Sequence, residues 1–307
     1  MLQSLSRPAI YGEGASSYQN CASMNNKGIE VIASWRNAVG EFTYEISGNA
    51  TLQKNAITDL PEDIYWTFGC GNANANVTNV GLPYGGRVGY ETDGVFHNQK
   101  EVEEYMSKYT VTGRAPGVGR IKYVDVNGDN VIDAKDQKYI GSDLPKVQYG
   151  LNFNASWKGF DLALFFNGMI RDVYNTSKLY TDFFPLGEGL GNHSTRLVEA
   201  MNAYYEYEKT GTYTCKYAAP TTINSNNENQ TSDWYVENGS YIRLKNIVLG
   251  YTLPANTVRA LKLRTARVFI QGQNLLTFTK YTGPDPEATG YPYPFGKNFV
   301  LGLNIGF

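Results

Sequence analysis

No stretch of about 18 consecutive apolar residues occurs anywhere in this 307-residue sequence, so no transmembrane helix can be drawn on it. Histidine is nearly missing: only His97 and His193 occur, and neither comes with a nucleophile motif that would make a catalytic triad credible. Three cysteines (Cys21, Cys70, Cys215) lie far apart without metal-ligand spacing. Their odd number excludes a complete disulfide framework and leaves one pair open. Charge is sparse as well. Asp, Glu, Lys and Arg make up 18% of the chain and the formal net charge is −2, so there is no basic field for nucleic acid and no single-sign block typical of a disordered tail. The first residues, MLQSLSRPAIYGEG, lack the basic-then-apolar order of a signal peptide. The expectation is either a protein that is not exported or a sequence whose beginning lies upstream.

What the chain has in quantity is Tyr (24), Phe (14) and Gly (32), residues of strands, turns and membrane–water boundaries. They fall into alternating runs. Ile29, Val31, Ala33 and Trp35 alternate with Glu30, Ser34 and Arg36, Ile32 being the exception, and a short turn at 37–40 leads into Phe42, Tyr44, Ile46, Gly48, Ala50 and Leu52. Val147 to Trp157 and Phe160 to Ile170 alternate on either side of a Lys158-Gly159 turn, with Phe165 and Met169 breaking the polar face of the second run. GSYIRLKNIVLGYTLP alternates with a shift near Lys245-Asn246, as a bulge would cause. Ala266 to Gln273 and the terminal KNFVLGLNIGF complete the set. In the last run, Phe299, Leu301, Leu303, Ile305 and Phe307 share one face, and Asn298, Val300, Gly302, Asn304 and Gly306 share the other.

The links between runs alternate strictly in length: 37–40, 158–159 and 253–263 are short, while 55–145, 175–237 and 275–295 are long. A soluble sandwich has no reason to sort its loops in this way, whereas a membrane barrel has short periplasmic turns and long extracellular loops. The expected fold is therefore all-β: about seven or eight antiparallel strands of a transmembrane barrel, with those three long links outside. Seven strands alone would leave two open edges in lipid, which unpaired backbone groups make prohibitively costly. The expectation is the C-terminal portion, 1–307, of a larger barrel.

Several segments together resemble the SusC/RagA class of TonB-dependent outer-membrane transporters. They are NKGIEVIASWRN with FTYEISGNATLQKN, YETDGVFHNQKEVEEY, GRIKYVDVNGDNVIDAKDQKYIG, LPKVQYGLNFNASWKGFDLALFFNGMIRDVYN, NGSYIRLKNIVLGYTLP, VFIQGQNLLTFTKYTGPDPE and FVLGLNIGF. The resemblance runs from about residue 25 to 307. It implies a barrel of 22 strands with an N-terminal plug and a TonB-contacting part, neither of which this sequence contains. It also implies a SusD-like surface lipoprotein as partner and nutrient uptake, of glycans or oligopeptides, across the outer membrane. Phe307 resembles the C-terminal signal read by the barrel-insertion machinery.

Among chemistry-bearing candidates the sharpest is Asp125-Val-Asn127-Gly-Asp129-Asn-Val131-Ile-Asp133-Ala-Lys-Asp136. Oxygen ligands at positions 1, 3, 5, 9 and 12, with the Val131 carbonyl at 7, match an EF-type Ca²⁺ loop. Asn130 replaces the usual Gly and Asp136 the usual Glu; the bland alternative is a solvated acidic turn. A structural calcium ion is thus expected here. Tyr204, Tyr205, Tyr207, Tyr213 and Tyr217, with the 281–295 aromatics, could stack on sugars or grip peptides, but packing of the loops or of the interface with the lid lipoprotein is the favoured role. Glu41, Glu45, Asn49, Asn152, Asn154, Asp161, Arg267, Gln271 and Gln273 would face the lumen, and contact with a plug is the expectation for them. Glu103 and Glu104 lie on a predicted surface helix, 100–108. The competing function is a calcium-stabilised cell-surface binding module. A secreted carbohydrate-active enzyme lacks a recognisable acid/base pair.

Overall fold

The computed structural model describes residues 2–6, 16–20, 22–60, 76–77, 80–178, 195–221, 223–260, 262–288, 293 and 295–307. Cys21, Cys70 and His193 lie outside them, as does part of the 281–295 link. Alternation over 11 residues, twice, builds the central hairpin: β3 (Val147–Trp157) and β4 (Phe160–Ile170) pair without a break from Val147↔Ile170 to Trp157↔Phe160. Lys158 and Gly159 both take positive φ, 48° and 87°, the mirror-image turn whose twist matches that of the flanking strands. Around it lie β1 (Ser23–Val39), β2 (Phe42–Asp59), β5 (Tyr241–Thr252), β6 (Thr265–Thr279) and β7 (Asn298–Gly306). Together they form one seven-stranded antiparallel sheet in the order β7-β6-β5-β4-β3-β2-β1. Each strand pairs with its neighbours in sequence, so all short links fall at one end of the sheet and all long links at the other.

Several boundaries differ from the sequence reading. The first turn is Gly40-Glu41, because β1 runs on through Asn37 to Val39. The long links are 60–146, 171–240 and 280–297, displaced from the expected bounds because ladder pairing carries β2 to Asp59 and β6 to Thr279 through polar residues that break no backbone hydrogen bond. Residues 1–27, read as loop, contain the pair Leu2–Ser6 and Ser16–Asn20 and the start of β1. The anticipated shift in β5 is present: against β4, Phe165 pairs with Asn246 and Phe166 with Leu244, making Lys245 the extra residue of a bulge.

Cross-strand rows give the sheet two unlike faces. One row runs Tyr44–Ala155–Leu162–Leu249–Ile270–Leu301 across six strands, and the next runs Phe42–Trp157–Phe160–Tyr251–Val268–Leu303. The second row, nearest the short links, is aromatic at four adjacent positions. Phe160 and Tyr251 are tilted ring to ring at 4.6 Å. This face is left bare, with Leu301 79% and Phe299 71% exposed. A contiguous apolar surface of this extent needs a non-aqueous neighbour. The strands have 9 to 18 residues, as a bilayer-crossing strand needs.

The chain divides into two compact units, and the sheet is one of them (26–54, 144–172, 238–307). The other gathers the two longest links (1–25, 55–143, 173–237). These links are not merely polar excursions, for they share a hydrophobic core that includes Phe96, Tyr105, Ile121, Ile132, Tyr213 and Tyr235. Helix α1 (Gln99–Lys108), close to the predicted 100–108, starts where Asn98 Oδ1 accepts the Glu101 N–H at 3.0 Å. It turns Val102 and Tyr105 inward and leaves Glu103 and Glu104 exposed. A second helix, α2 (Thr195–Thr210), adds Leu197 and Ala200. The Arg114 guanidinium lies over the rings of both Tyr90 and Tyr123, 4.3 and 3.9 Å from their centroids, and donates to the Asn226 carbonyl and to Gln230 Oε1.

Among the buried polar groups of this unit is Glu228, whose side chain is 1% exposed. Oε1 accepts the Ile121 N–H at 2.9 Å, and Oε2 accepts Arg120 Nη1 at 2.7 Å. Burial pushes the carboxyl up from its ordinary range, and Arg120 and these hydrogen bonds only partly oppose it.

Candidate functional site

On the face opposite the apolar rows lie the residues expected to meet the lumen, and many of them find partners on neighbouring strands. Glu45 accepts Arg36 at 2.5 Å; Glu41 lies 3.7 Å from Lys158 Nζ. Gln271 donates to Asn246 Oδ1 at 2.9 Å, and Thr43 and Ser156 share a hydrogen bond of 2.6 Å. Partners for these long polar side chains therefore exist within the wall, where the sequence reading looked to a plug. A cavity of about 710 Å³ opens near the short links, with Arg36, Thr43, Glu45, Asn154, Ser156 and Asp161 in its lining.

Asp161 and Arg267 belong to β4 and β6, with β5 between them, yet they form a bidentate pair: Nε to Oδ1 at 2.8 Å and Nη2 to Oδ2 at 2.5 Å. Gly250 makes the reach possible. A Cβ on Gly250 would fall 2.5 Å from Asp161 Oδ1 and 2.6 Å from Arg267 Nε, so any side chain there would displace the pair. The Arg267 guanidinium also lies 5.0 Å from the centroid of Phe269, whose ring occupies the space a Cβ on Gly302 would need.

At the other end of the same face residues 285–287 and Phe295 of the 280–297 link are held against the sheet. Arg243 of β5 is the centre of its attachment, with its side chain 3% exposed. Nη2 donates to Asp285 Oδ1 at 2.6 Å, Nη1 to Glu287 Oε2 at 2.8 Å, and Nε to Thr277 Oγ1 of β6 at 2.9 Å. Lys245, the bulge residue, adds a second cation to Glu287 at 2.8 Å. Asp285 in turn accepts the N–H groups of Glu287 and Phe295, and Arg171 Nη2 donates to the Pro286 carbonyl at 2.5 Å. Burial alone would raise the Asp285 carboxyl, but the Glu287 N–H and the Arg243 guanidinium hold it below its usual range. The half-exposed Phe295 ring lies over Lys245 Nζ at 4.8 Å. Sequence reasoning missed this network. The only local trace was the pair of acids in GPDPE and the two cations at the bulge.

The acidic 125–136 loop is folded on its own backbone. Asp125 accepts the N–H groups of Gly128 and Asn130 at 2.7 and 2.9 Å, and Asn127 Oδ1 accepts that of Asp129 at 2.9 Å. Asp129 accepts Val131 N–H at 2.8 Å, Asp133 accepts Lys135 N–H at 2.7 Å, and the fully buried Asp136 accepts those of Val126 and Asp133, both at 2.9 Å. Asn130 takes the left-handed conformation (φ 61°) that position 6 of such a loop requires. Burial tends to raise the Asp125 carboxyl, yet the Asn130 and Gly128 N–H groups bring it below the ordinary range. The chemistry of the donors suits a hard cation, and each carboxylate keeps lone pairs beyond those its N–H partners use. Among the described residues, however, no three His, Cys, Asp or Glu side chains converge on one point.

The other candidates separate. Tyr213 is fully buried, Tyr207 and Tyr217 pack against the same core, and Tyr204 and Tyr205 are exposed on α2. His97 is structural: its Nδ1 is 2.7 Å from the Tyr213 carbonyl and its own carbonyl accepts the Tyr213 N–H. Cys215 is a free, buried thiol. Phe307, one residue past β7, is 91% exposed.

A scan against models of known protein families matches none. Individual proteins do match. The chain is 30% identical to TonB-dependent receptor P3 of Formosa agariphila, over 97% of its own length and 30% of the receptor. It is 27% identical to TonB-dependent receptor SusC of Bacteroides thetaiotaomicron, over 100% of its length and 29% of SusC. In structure it superposes on the RagAB peptide transporter with a TM-score of 0.74 at 26% identity, covering 100% of this chain and 32% of that one. The chain thus spans about a third of the length of the proteins it matches.

Proposed function

Because the chain belongs to the SusC/RagA-type TonB-dependent receptors of the outer membrane, we propose that its seven strands form part of the barrel wall of a nutrient importer. In this reading the bare apolar rows face lipid, and the aromatic row Phe42–Trp157–Phe160–Tyr251 lies at the periplasmic boundary. The polar face then lines the path of the cargo, and the links 60–146, 171–240 and 280–297 are extracellular. The observation that carries the proposal is the two-facedness of a seven-stranded meander whose link lengths are sorted to opposite ends.

The cargo class proposed is an oligopeptide or an oligosaccharide. The peptide arm is supported by the likeness to the RagAB peptide transporter, and the glycan arm by the resemblance to the SusC/RagA class. Uptake of either is proposed to need a SusD-like lipoprotein at the cell surface and the TonB complex, reached through a part of the receptor outside this segment. The relatives are named as receptors and transporters, and no catalytic step is assigned to this chain.

The test is to delete the gene and follow growth on mixed peptides and on mixed oligosaccharides as sole nutrient, with membrane fractionation of the restored strain. Loss of growth on one class, restored by the gene and dependent on TonB, is the expected result. A protein released in the soluble fraction would instead support the calcium-stabilised binding module, for which the bare apolar rows have no use.

A further inference from the structure

The 280–297 link is held down by more than a loop of its length needs. Two basic side chains of β5 converge on two acids of the link, a β6 hydroxyl accepts from the remaining nitrogen of the central guanidinium, and that guanidinium is all but sealed from water. Two charges withdrawn from water in this way hold only while each keeps its partner, because an unpaired buried charge is strongly unfavourable. A surface loop needs no such arrangement to close.

We propose that Arg243 is the positioning residue of this link, latching residues 285–287 and Phe295 to the polar face so that these residues form a fixed ledge over the cargo path rather than a swinging flap. The latch itself stands on the geometry of the sheet; that the ledge narrows a path rests on the proposed uptake function. Arg243 presents three donors in one plane to three acceptors, Asp285, Glu287 and Thr277, and each takes a different nitrogen. A lysine has the charge but not the fork. The bulge at Lys245 completes the set by placing a second cation against Glu287.

Between Lys280 and Lys297 the sequence contains no Lys or Arg, so trypsin reads the two hinges of the ledge and nothing within it. The experiment uses the full-length receptor in outer-membrane vesicles. Cleavage at Lys280 and Lys297 is followed in the wild type, Arg243→Met, Arg243→Lys and the isosteric double variant Asp285→Asn/Glu287→Gln. Barrel folding is checked in each by heat-modifiable gel mobility. The latch predicts cleavage at least about tenfold faster in all three variants, Arg243→Lys included, since a tenfold change matches the loss of even a modest fraction of such a network. Cells carrying the variants should also become sensitive to a bulky glycopeptide antibiotic that the wild type excludes. Unchanged cleavage in folded variants, or full rescue by Arg243→Lys, would overturn the latch. Faster cleavage with unchanged antibiotic exclusion would overturn the ledge's place in the path. Failure of the uptake reading would show separately, as a receptor absent from the outer membrane.

Discussion

Replacing Gly250 by Ala should cost stability only while Arg267 is present. Asp161 and Arg267 meet across β5 at 2.8 and 2.5 Å, and a Cβ on Gly250 would lie within 2.6 Å of three of their polar atoms, Arg267 Nη2 the nearest. Ordinary contact needs about 3.4 Å, so each group must retreat by nearly 1 Å, which takes both hydrogen bonds out of useful range. The side chains are 27% and 35% exposed, so solvent screens them and the pair contributes only about 0.5–1 kcal/mol. Local overpacking adds about 1 kcal/mol, at the low end because both side chains have room to swing away from the sheet. Against this, Ala relieves the glycine entropy penalty by about 0.5–1 kcal/mol. Gly250→Ala should therefore lower stability by about 1 kcal/mol on balance, and Arg267→Ala by a similar amount. In the Arg267→Ala background Asp161 is free to turn away, and Gly250→Ala becomes neutral or slightly stabilising. The double-mutant cycle should thus show about 1–2 kcal/mol of non-additivity. It is measured from guanidinium midpoints of the purified full-length barrel in detergent micelles, at constant m-value. Additivity within about 0.3–0.5 kcal/mol would refute the account, because it would mean that Gly250 is not the seat of the pair.

Glu228, with its raised folded pKa, binds more protons folded than unfolded near its titration. Its contribution to stability is complete below the unfolded value and is lost as pH rises through the folded one. Hydrogen exchange at Ile121 to Tyr123, corrected for intrinsic rates, should report easier opening with rising pH, and Glu228→Gln should flatten that slope; a slope unchanged in the variant would discount Glu228 as its source. Asp285 has the opposite sign: its depressed pKa makes the latch strongest above the carboxylate range, so tryptic release of the 280–297 link should accelerate only as pH falls through the depressed value, and acceleration at alkaline pH would count against it. For the 125–136 loop, calorimetric titration with Ca²⁺ should give heat that disappears in Asp125→Ala/Asp129→Ala, whereas no heat from the wild type would leave an acidic turn folded by its own N–H groups alone. Phe307→Ala removes a residue that is 91% exposed and so costs almost no packing; a drop in assembled outer-membrane protein would then report recognition by the insertion machinery, and normal assembly would remove Phe307 from that role.

The sheet was legible because its strands alternate over 9 to 18 residues and because its turns and bulge carry local signatures, Lys158-Gly159 and Lys245 among them. The loop unit was not. Its strands have two to five residues, too few for a period to show, and its core is built by pairing across great distances in sequence. Glu228 reaches Arg120 and Ile121 over more than 100 residues, and Arg114 reaches Asn226 over 112. Nothing near Glu228 in the sequence marks it as buried, so the segment reads as polar. The Arg243 latch was hidden for a related reason: its acids lie 42 and 44 residues from Arg243 on a link whose composition reads as loop.

The glycines of the polar face show what alternation conceals. A Gly in the inward register of KNFVLGLNIGF reads as a small residue in a wet lumen, yet Gly302 is the seat of the Phe269 ring, and Gly250 in β5 is the gap through which Asp161 meets Arg267. Alternation records which face a residue belongs to but not how far its neighbours lean along the sheet. On a flat row of small residues, a large side chain from an adjacent strand lies down, and its contacts run across the strands rather than into the lumen. The polar face therefore satisfies itself laterally before it meets any partner. A plug or a cargo molecule would bind to side chains whose positions the wall has already set, which is the preorganised state in which weak polar contacts discriminate best.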